Sequence, residues 1–105
     1  MTVIIDYKVG NLLSIQRGFK RVGIDAVITN DEELIKNATL LVLPGVGAFK
    51  DAMDDLIDSG LVPLIKSHVQ QGKLLFGVCL GMQLLFESSN EFELTKGLGL
   101  LQGSI

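Results

Sequence analysis

Apolar and polar positions along this chain alternate between two periods. Short, nearly continuous apolar runs predict strands at 2–5, 26–29, 39–43 and 74–78. Between and after these runs, apolar residues spaced three or four apart predict helices over 12–22, 32–36, 49–60, 61–71 and 82–87. Asn11 stands at the N-cap position of the first helix, and Gly23 follows its end.

Strands that alternate with helices indicate one parallel sheet covered on both faces, joined by right-handed crossovers. We therefore expect a doubly wound α/β fold. With 105 residues the chain is long enough for one small core and too short for two. The last stretch, 96–105, starts a further element without finishing it.

Composition narrows the function classes. Apolar residues make up 48% of the chain and the mean hydropathy is +0.44, which excludes intrinsic disorder. A net charge of −3 offers no basic surface for nucleic acid. The longest apolar stretch, 74–82, is too short for a membrane helix, and Asp6 interrupts the N-terminal apolar run where a secretory leader would continue. We expect a cytosolic protein.

The sharpest local motif is G-V-C-L-G at 77–81, which follows a predicted buried strand and precedes a helical pattern. In a nucleophile elbow, glycines on both sides of a strand-to-helix turn make room for the strained backbone that presents the nucleophile. Cys79 would be that nucleophile, and the amide of Leu80 would point towards a developing oxyanion. The alternative is that Cys79 is a small core residue, as free cysteines often are.

A second glycine turn, P-G-V-G at 44–47, also follows a predicted strand. Carboxyl ends of parallel strands meet at one edge of a sheet, so both turns should face one crevice. Backbone amides of Gly45, Val46 and Gly47 could then complete an oxyanion hole, or the turn is simply a tight connection. Gln83, one helical turn after the cysteine, either reaches this crevice or is an exposed helix former.

Other candidate groups favour structural roles. His68, the chain's one histidine, falls within a helix that should pack on a face of the sheet, so we expect a partly exposed residue and no general base. Four aspartates recur at helical spacing opposite an apolar stripe, which indicates a solvated acidic face rather than a metal site; they are Asp51, Asp54, Asp55 and Asp58. Neither glycine turn matches a phosphate-binding motif, and no cofactor is expected.

Several motifs together resemble one family closely. They are I-I-D-Y at 4–7, G-N at 10–11, L-P-G-V-G-A-F at 43–49, D-A-M at 51–53 and G-V-C-L-G-M-Q-L-L-F-E at 77–87. In these motifs the chain resembles the glutamine amidotransferase subunits of imidazole glycerol phosphate synthase, a branch of the triad-type glutamine amidotransferases. The resemblance runs from end to end of residues 1–105, which match the N-terminal part of the family's type 1 amidotransferase domain.

This resemblance implies a flavodoxin-like, mainly parallel sheet and hydrolysis of glutamine to glutamate and ammonia through a Cys79 thioester. Amides of Leu80 and the 44–47 turn would bind the oxyanion, and Gly47 and Gln83 would lie against glutamine. It also implies a heterodimer in which a (β/α)₈ barrel cyclase uses the ammonia in histidine biosynthesis. The candidate docking face is formed by the loop after the first strand and by the first helix; its residues are Tyr7, Lys8, Gly10, Asn11 and Arg17.

The chain departs from the family pattern in two places. Lys8 stands where the family usually has a small residue, often glycine. The family's catalytic histidine and glutamate belong to a later His-Pro-Glu segment, which these residues do not include. A competing hypothesis therefore holds that the 105-residue chain is a non-catalytic fragment or a partner-binding remnant.

Overall fold

The computed structural model describes residues 1–8, 10–90 and 94–104. Its order of elements is β1 (Thr2–Ile5), α1 (Leu12–Arg21), β2 (Ala26–Thr29), α2 (Glu32–Asn37), β3 (Leu40–Leu43), α3 (Phe49–Asp58), α4 (Val62–Gln70), β4 (Leu74–Gly77), α5 (Leu80–Gln83), β5 (Phe86–Ser89), β6 (Thr95–Lys96) and β7 (Leu101–Ser104). The predicted strands and the first four helices are present within one or two residues of their expected bounds, as helix ends commonly vary.

The first four strands form one parallel sheet in the order β2-β1-β3-β4. Val3 of β1 pairs with Val27 of β2 on one side and Leu41 of β3 on the other. Each crossover between these strands contains at least one helix, as parallel pairing requires. This strand order is that of the flavodoxin-like doubly wound fold, so the expected fold class is confirmed.

Helices cover both faces of this sheet. Alternate strand residues such as Ile4 and Val42 face the apolar stripe of α1, with Phe19 at its centre. Residues of opposite parity, such as Leu41, pack against α2, α3 and α4 in the larger core cluster. Both clusters consist of aliphatic and aromatic side chains, and they hold the carboxyl ends of β1, β3 and β4 at one rim.

The strand β4 departs from the expectation of a buried strand. Leu74 is 68% exposed and Phe76 is 51% exposed, because β4 is the outer strand of the sheet within the described residues. Phe76 makes an edge-to-face contact with Phe19 at a centroid distance of 6.1 Å, which covers part of its ring. The apolar run therefore forms the predicted strand, but the prediction that this strand is buried is wrong.

The expected helix over 82–87 is present only as far as Gln83, within the short α5. The chain leaves α5 after Gln83 and forms β5, which pairs antiparallel with β6 and parallel with β7 in a small three-stranded sheet. Carbonyl groups at 84–87 accept hydrogen bonds from amides at 97–101 instead of amides one helical turn onward. This pairing needs a glycine at 97, since a Cβ there would lie 2.3 Å from the carbonyl oxygen of Phe86.

None of the helices described over residues 1–8, 10–90 and 94–104 is long and apolar enough to span a membrane.

Candidate active site

Cys79 occupies a strained turn between β4 and α5. Its backbone has φ 55° and ψ −125°, in the left-handed half of conformational space that few residues other than glycine adopt. The turn is closed by a hydrogen bond of 2.9 Å from Gly81 N–H to the carbonyl oxygen of Val78. Cys79 is exposed rather than buried in the core, and a nucleophile elbow likewise exposes its nucleophile.

Glycines flank Cys79 because backbone segments approach each other too closely for side chains. A Cβ on Gly81 would lie 2.0 Å from the carbonyl oxygen of Leu43, and a Cβ on Gly77 would lie 2.6 Å from the Cα atom of Met82. Real Cβ atoms do not come this close to backbone atoms. The expected reason for the two glycines, room for a tight strand-to-helix turn, is therefore the one that the structure shows.

The two glycine turns lie side by side, as expected from their positions after neighbouring strands. Val78 N–H donates to the carbonyl oxygen of Leu43 at 3.0 Å, and this bond extends the pairing of β3 with β4 past the strand ends. One step further, a Cβ on Gly45 would lie only 2.5 Å from the backbone nitrogen of Gly81. The turns therefore share one crevice at the carboxyl edge of the sheet.

Leu80 and Gly45 are joined directly across this crevice. The backbone N–H of Leu80 donates to the carbonyl oxygen of Gly45 at 3.2 Å. The amide that the sequence predicts for an oxyanion hole is therefore engaged by the Gly45 carbonyl in this structure. Val46 is 61% exposed and Gly47 has φ +85°, so the turn continues at the surface in a conformation that suits glycine.

A cleft of about 210 Å³ opens beside the cysteine. It is lined by residues of the 10–15 segment, of the 44–47 turn and of the elbow, namely Gly10, Asn11, Ser14, Ile15, Gly45, Val46, Val78 and Cys79. Most of its surface is apolar, with backbone groups of the two turns at its wall. Gln83 is half-buried at the end of α5 and is not among the lining residues.

The two glycine turns and the sheet that carries them occur in a known protein family. The family model described as glutamine amidotransferase class-I matches residues 3–93, which includes both glycine turns. The chain belongs to the class-I glutamine amidotransferase family. A solved structure described as a crystal structure of glutamine amidotransferase superposes with a TM-score of 0.80 over 97% of this chain and 54% of that one; at 24% identity it shows the shared fold.

Two curated relatives of this amidotransferase chain carry the name imidazole glycerol phosphate synthase subunit HisH. The protein from Syntrophotalea carbinolica is 50% identical over 105 residues, and the protein from Caldanaerobacter subterraneus is 51% identical over 105 residues. All of this chain is matched in both cases. The chain spans about half the length of these relatives, 51% and 52% respectively.

The five candidate docking residues of the amidotransferase chain are not equally accessible. Lys8, Asn11 and Arg17 are exposed. Gly10 is half-buried, and a Cβ there would lie 3.1 Å from the Cβ of Pro44. Tyr7 is only 3% exposed, so its side chain is not available to a partner in this conformation. Asn11 caps α1, its side chain accepting a bond of 3.4 Å from Ser14 N–H.

Tyr7 instead holds the second glycine turn, a role that the sequence did not reveal. Its hydroxyl donates a hydrogen bond to the carbonyl oxygen of Pro44. Burial, and to a smaller extent the negative charge of Asp55, raise the pKa of Tyr7 above its usual range, so the hydroxyl keeps its proton. A tyrosine two residues after a buried strand is the only signal in the sequence, and it does not specify a hydrogen-bond partner.

Lys8, in the loop after β1, has an unusual backbone conformation. Its φ is +74°, and it is one of two non-glycine residues with positive φ in the described part of the chain, the other being Cys79. The Lys8 N–H donates to a carboxylate oxygen of Asp6 at 3.3 Å, which stabilises the turn locally. The position adopts the backbone conformation that glycine prefers, so the family's small residue there has a physical reason.

His68 is buried, which corrects the expectation of a partly exposed residue. Only 2% of it is exposed, and its Nε2 lies 2.7 Å from the carbonyl oxygen of Leu74. Leu74 is the first residue of β4, and Cys79 lies five residues further along the chain, so roughly 15 Å separates the two positions at about 3.3 Å per residue. The imidazole anchors α4 to the edge strand and is not a base for Cys79, as the sequence predicted.

The four aspartates of α3 are exposed, as predicted for a solvated face. Asp54 accepts an ion pair of 2.9 Å from Lys50 one helical turn earlier. Within the described residues, no three histidine, cysteine or acidic side chains are grouped closely enough to hold a metal ion.

Proposed function

We propose that this chain supplies the nucleophile half of a glutaminase, in which Cys79 attacks the side-chain amide of glutamine. The observation that carries the proposal is the conjunction of an exposed cysteine at φ 55° with a second glycine turn hydrogen-bonded across the crevice. Membership of the class-I amidotransferase family supports it. The name shared by the two half-matched relatives supports a synthase subunit in histidine biosynthesis.

The chemistry begins when the Cys79 thiolate adds to the amide carbon and the amide oxygen becomes an oxyanion. The N–H of Leu80 is then the first donor to the oxyanion, once the Gly45 carbonyl has turned away from it. Turning the peptide between Gly45 and Val46 would exchange a carbonyl for an N–H on the crevice side, which adds a second donor. Collapse of the intermediate releases ammonia after protonation and leaves a glutamyl thioester, which water hydrolyses to glutamate.

The proton carrier for these steps must come from residues beyond the described site. Ammonia cannot leave as an amide anion, so a general acid and base has to sit within hydrogen-bond reach of the sulfur. His68 is the chain's one histidine, and it lies at the far end of β4. We therefore place the base in a segment equivalent to the second half of the relatives, as the family resemblance implies.

A partner is proposed for the rim of the cleft. Asn11 and Ser14 line the cleft that contains Cys79, and they belong to the start of α1. Lys8, in the loop before α1, and Arg17, on α1, are exposed, although neither of them lines the cleft. A cyclase docked on this rim would receive ammonia close to where it is released, which fits a synthase with two subunits.

The competing proposal is a non-catalytic role for the chain by itself. The observation in its favour is that the Leu80 amide is occupied by Gly45 and that no histidine of this chain reaches Cys79. Under this proposal the cleft binds neither glutamine nor analogues of it. The two proposals are separated by whether the crevice recognises the glutamine skeleton.

The deciding experiment measures alkylation of Cys79 in the 105-residue chain. The chloromethyl ketone analogue of glutamine and a chloromethyl ketone that lacks the amino acid moiety are each added, and labelling is followed by intact mass. We expect the glutamine analogue to react at least ten times faster than a chloromethyl ketone lacking the amino acid moiety, and excess glutamine to protect. Equal rates for both chloromethyl ketones, with no protection, would support the non-catalytic proposal.

A second arm tests the complete reaction. The chain is joined to the C-terminal half of the Caldanaerobacter relative, mixed with a cyclase subunit, and assayed for glutamate release from glutamine. Release that disappears in Cys79→Ala, while the variant keeps its secondary structure, is the expected result. Release that persists in Cys79→Ala contradicts the assignment of the nucleophile.

A further inference from the structure

Tyr7 links the loop after β1 to the 44–47 turn. It lies two residues after the end of β1, its ring belongs to the larger core cluster, and its hydroxyl is bonded to Pro44. Pro44 is itself buried and touches the position of Gly10 on the other side. The hydroxyl therefore connects the rigid end of β1 with the first residue of the 44–47 turn.

Two successive carbonyl groups in this turn have different partners. The carbonyl of Pro44 accepts from the Tyr7 hydroxyl, and the carbonyl of Gly45 accepts from Leu80 N–H. A trans peptide is planar, so fixing the Pro44 carbonyl also fixes the direction of the Gly45 N–H. The peptide that must turn to release Leu80 is the next one, between Gly45 and Val46.

We propose that Tyr7 is a positioning residue for the oxyanion-binding turn, because its bond to the Pro44 carbonyl restricts the rearrangement to the single peptide between Gly45 and Val46. This inference rests on the proposed glutaminase function. With Pro44 held, rotation about the backbone bonds of Gly45 and Val46 suffices, and the positive φ of Gly47 allows the far side to follow. Without the hydroxyl, the peptide between Pro44 and Gly45 loses this restraint, and fewer molecules present both donors together.

The hydrogen bond between the Tyr7 hydroxyl and the Pro44 carbonyl can be removed without changing the packing of the core. Tyr7 is not among the residues that line the cleft, yet its hydroxyl reaches the residue next to Gly45. Removing only the hydroxyl leaves the buried ring in place, so the core loses no apolar contact. The variant Tyr7→Phe therefore separates positioning from folding.

The test compares two electrophiles on Cys79 in wild type and in Tyr7→Phe. Attack on the carbonyl of the chloromethyl ketone analogue of glutamine develops an oxyanion, whereas displacement of iodide from iodoacetamide does not. We expect Tyr7→Phe to lower the rate constant for the ketone about tenfold and to change that for iodoacetamide less than twofold. The ratio of the two rate constants isolates oxyanion binding from the accessibility of the thiol.

Thr39→Val is the matched control, since it removes a hydroxyl at the opposite end of β3, where Thr39 bonds the carbonyl oxygen of Met1 at 3.1 Å. Its ratio should equal that of wild type. A ratio in Tyr7→Phe that is unchanged or raised overturns the positioning role. Wild-type protein that shows no preference for the glutamine skeleton overturns the proposed function instead, so the two failures are distinct.

A measurement on the unaltered sequence covers the case in which Tyr7→Phe does not fold. The chain has a single tyrosine, so growth on 3-fluorotyrosine places one fluorine beside the Tyr7 hydroxyl. Fluorine NMR is recorded before and after Cys79 reacts with the ketone. The resonance should keep its folded position, because the anchor stays bonded while the next peptide turns. A resonance that moves to the position of the unfolded chain after labelling contradicts the proposal.

Discussion

The N–H of Leu80 points at the carbonyl oxygen of Gly45 across 3.2 Å, and this one bond joins the two glycine turns of the crevice. In this conformation the turn presents a carbonyl acceptor where the proposed oxyanion would need a donor. Both atoms of this hydrogen bond belong to the backbone, so the bond depends on the backbone positions that β3 and β4 set. The close approach of Gly45 to Gly81 is what permits it.

Alanine substitutions at Gly81 and Gly47 should distinguish two reasons for glycine in these turns, which are close approach of backbone atoms and a positive φ. Gly81→Ala would place a Cβ 2.0 Å from the Leu43 carbonyl oxygen, and we expect it to lower the free energy of unfolding by about 3 kcal/mol. Gly47→Ala meets open space and strains only φ, which should cost about 1 kcal/mol. Urea unfolding of both variants checks this order. Equal losses would mean that the elbow relaxes around the added methyl group.

A second stability prediction concerns Lys8, which adopts φ +74°. Lys8→Gly removes the steric cost of the left-handed conformation and should raise the free energy of unfolding by roughly 0.5 to 1 kcal/mol, despite the greater freedom of glycine in the unfolded chain. Lys20→Gly, within α1, should lower it by about 1 kcal/mol. The two lysines thus respond with opposite sign, and a loss in Lys8→Gly would show that its side chain has a stabilising contact.

The sheet and the site could be predicted to different depths. Apolar periods located β1 to β4 and α1 to α4, because a parallel sheet under two helical layers requires those periods. The edge position of β4 was not accessible, since an apolar run is the same whether or not another element covers it. The change from helix to β5 after Gln83 depends on pairing with residues 97–101, which local propensity does not register.

For the site, the sequence identified the residue types and missed their contacts. G-x-C-x-G predicted the elbow at Cys79, because close backbone approach selects glycine. The engagement of Leu80 by Gly45 and the bond from Tyr7 to Pro44 join residues 35 or more positions apart and depend on the orientation of single peptides. His68 was correctly excluded as a base, but its burial arises from the packing of α4 on Leu74, which is a tertiary property.

Ionisation of Tyr7 gives a prediction at alkaline pH. Burial, followed by the charge of Asp55, raises its folded-state pKa above the ordinary value of about 10. Above pH 10 the unfolded chain releases this proton while the folded chain keeps it, so the contribution of Tyr7 to stability is full below pH 10 and declines as the pH rises further. The chain has one tyrosine and no tryptophan, so tyrosinate absorbance reports this group alone.

The expected titration has a midpoint above that of free tyrosine, and it falls to the ordinary value in urea. Tyr7→Phe should remove the part of the alkaline stability loss that begins near pH 10. Tyrosinate that forms at the ordinary pKa in the folded chain would show that the ring is open to solvent.

Replacing His68 should affect stability and leave the thiol chemistry unchanged. His68→Leu keeps apolar volume in the core and removes the partner of the Leu74 carbonyl, which we expect to cost about 1 to 3 kcal/mol in the free energy of unfolding. The imidazole lies at the amino end of β4. At each pH from 6 to 9, a range that spans the ordinary histidine and cysteine pKa values, the rate constant for alkylation of Cys79 by iodoacetamide in His68→Leu should therefore differ from that of wild type by less than twofold. A histidine acting as the base of Cys79 would instead shift the pH at which the thiol becomes reactive. Such a shift in His68→Leu, at a temperature where the variant is folded, would place the imidazole in the reaction and contradict the separation of the two strand ends.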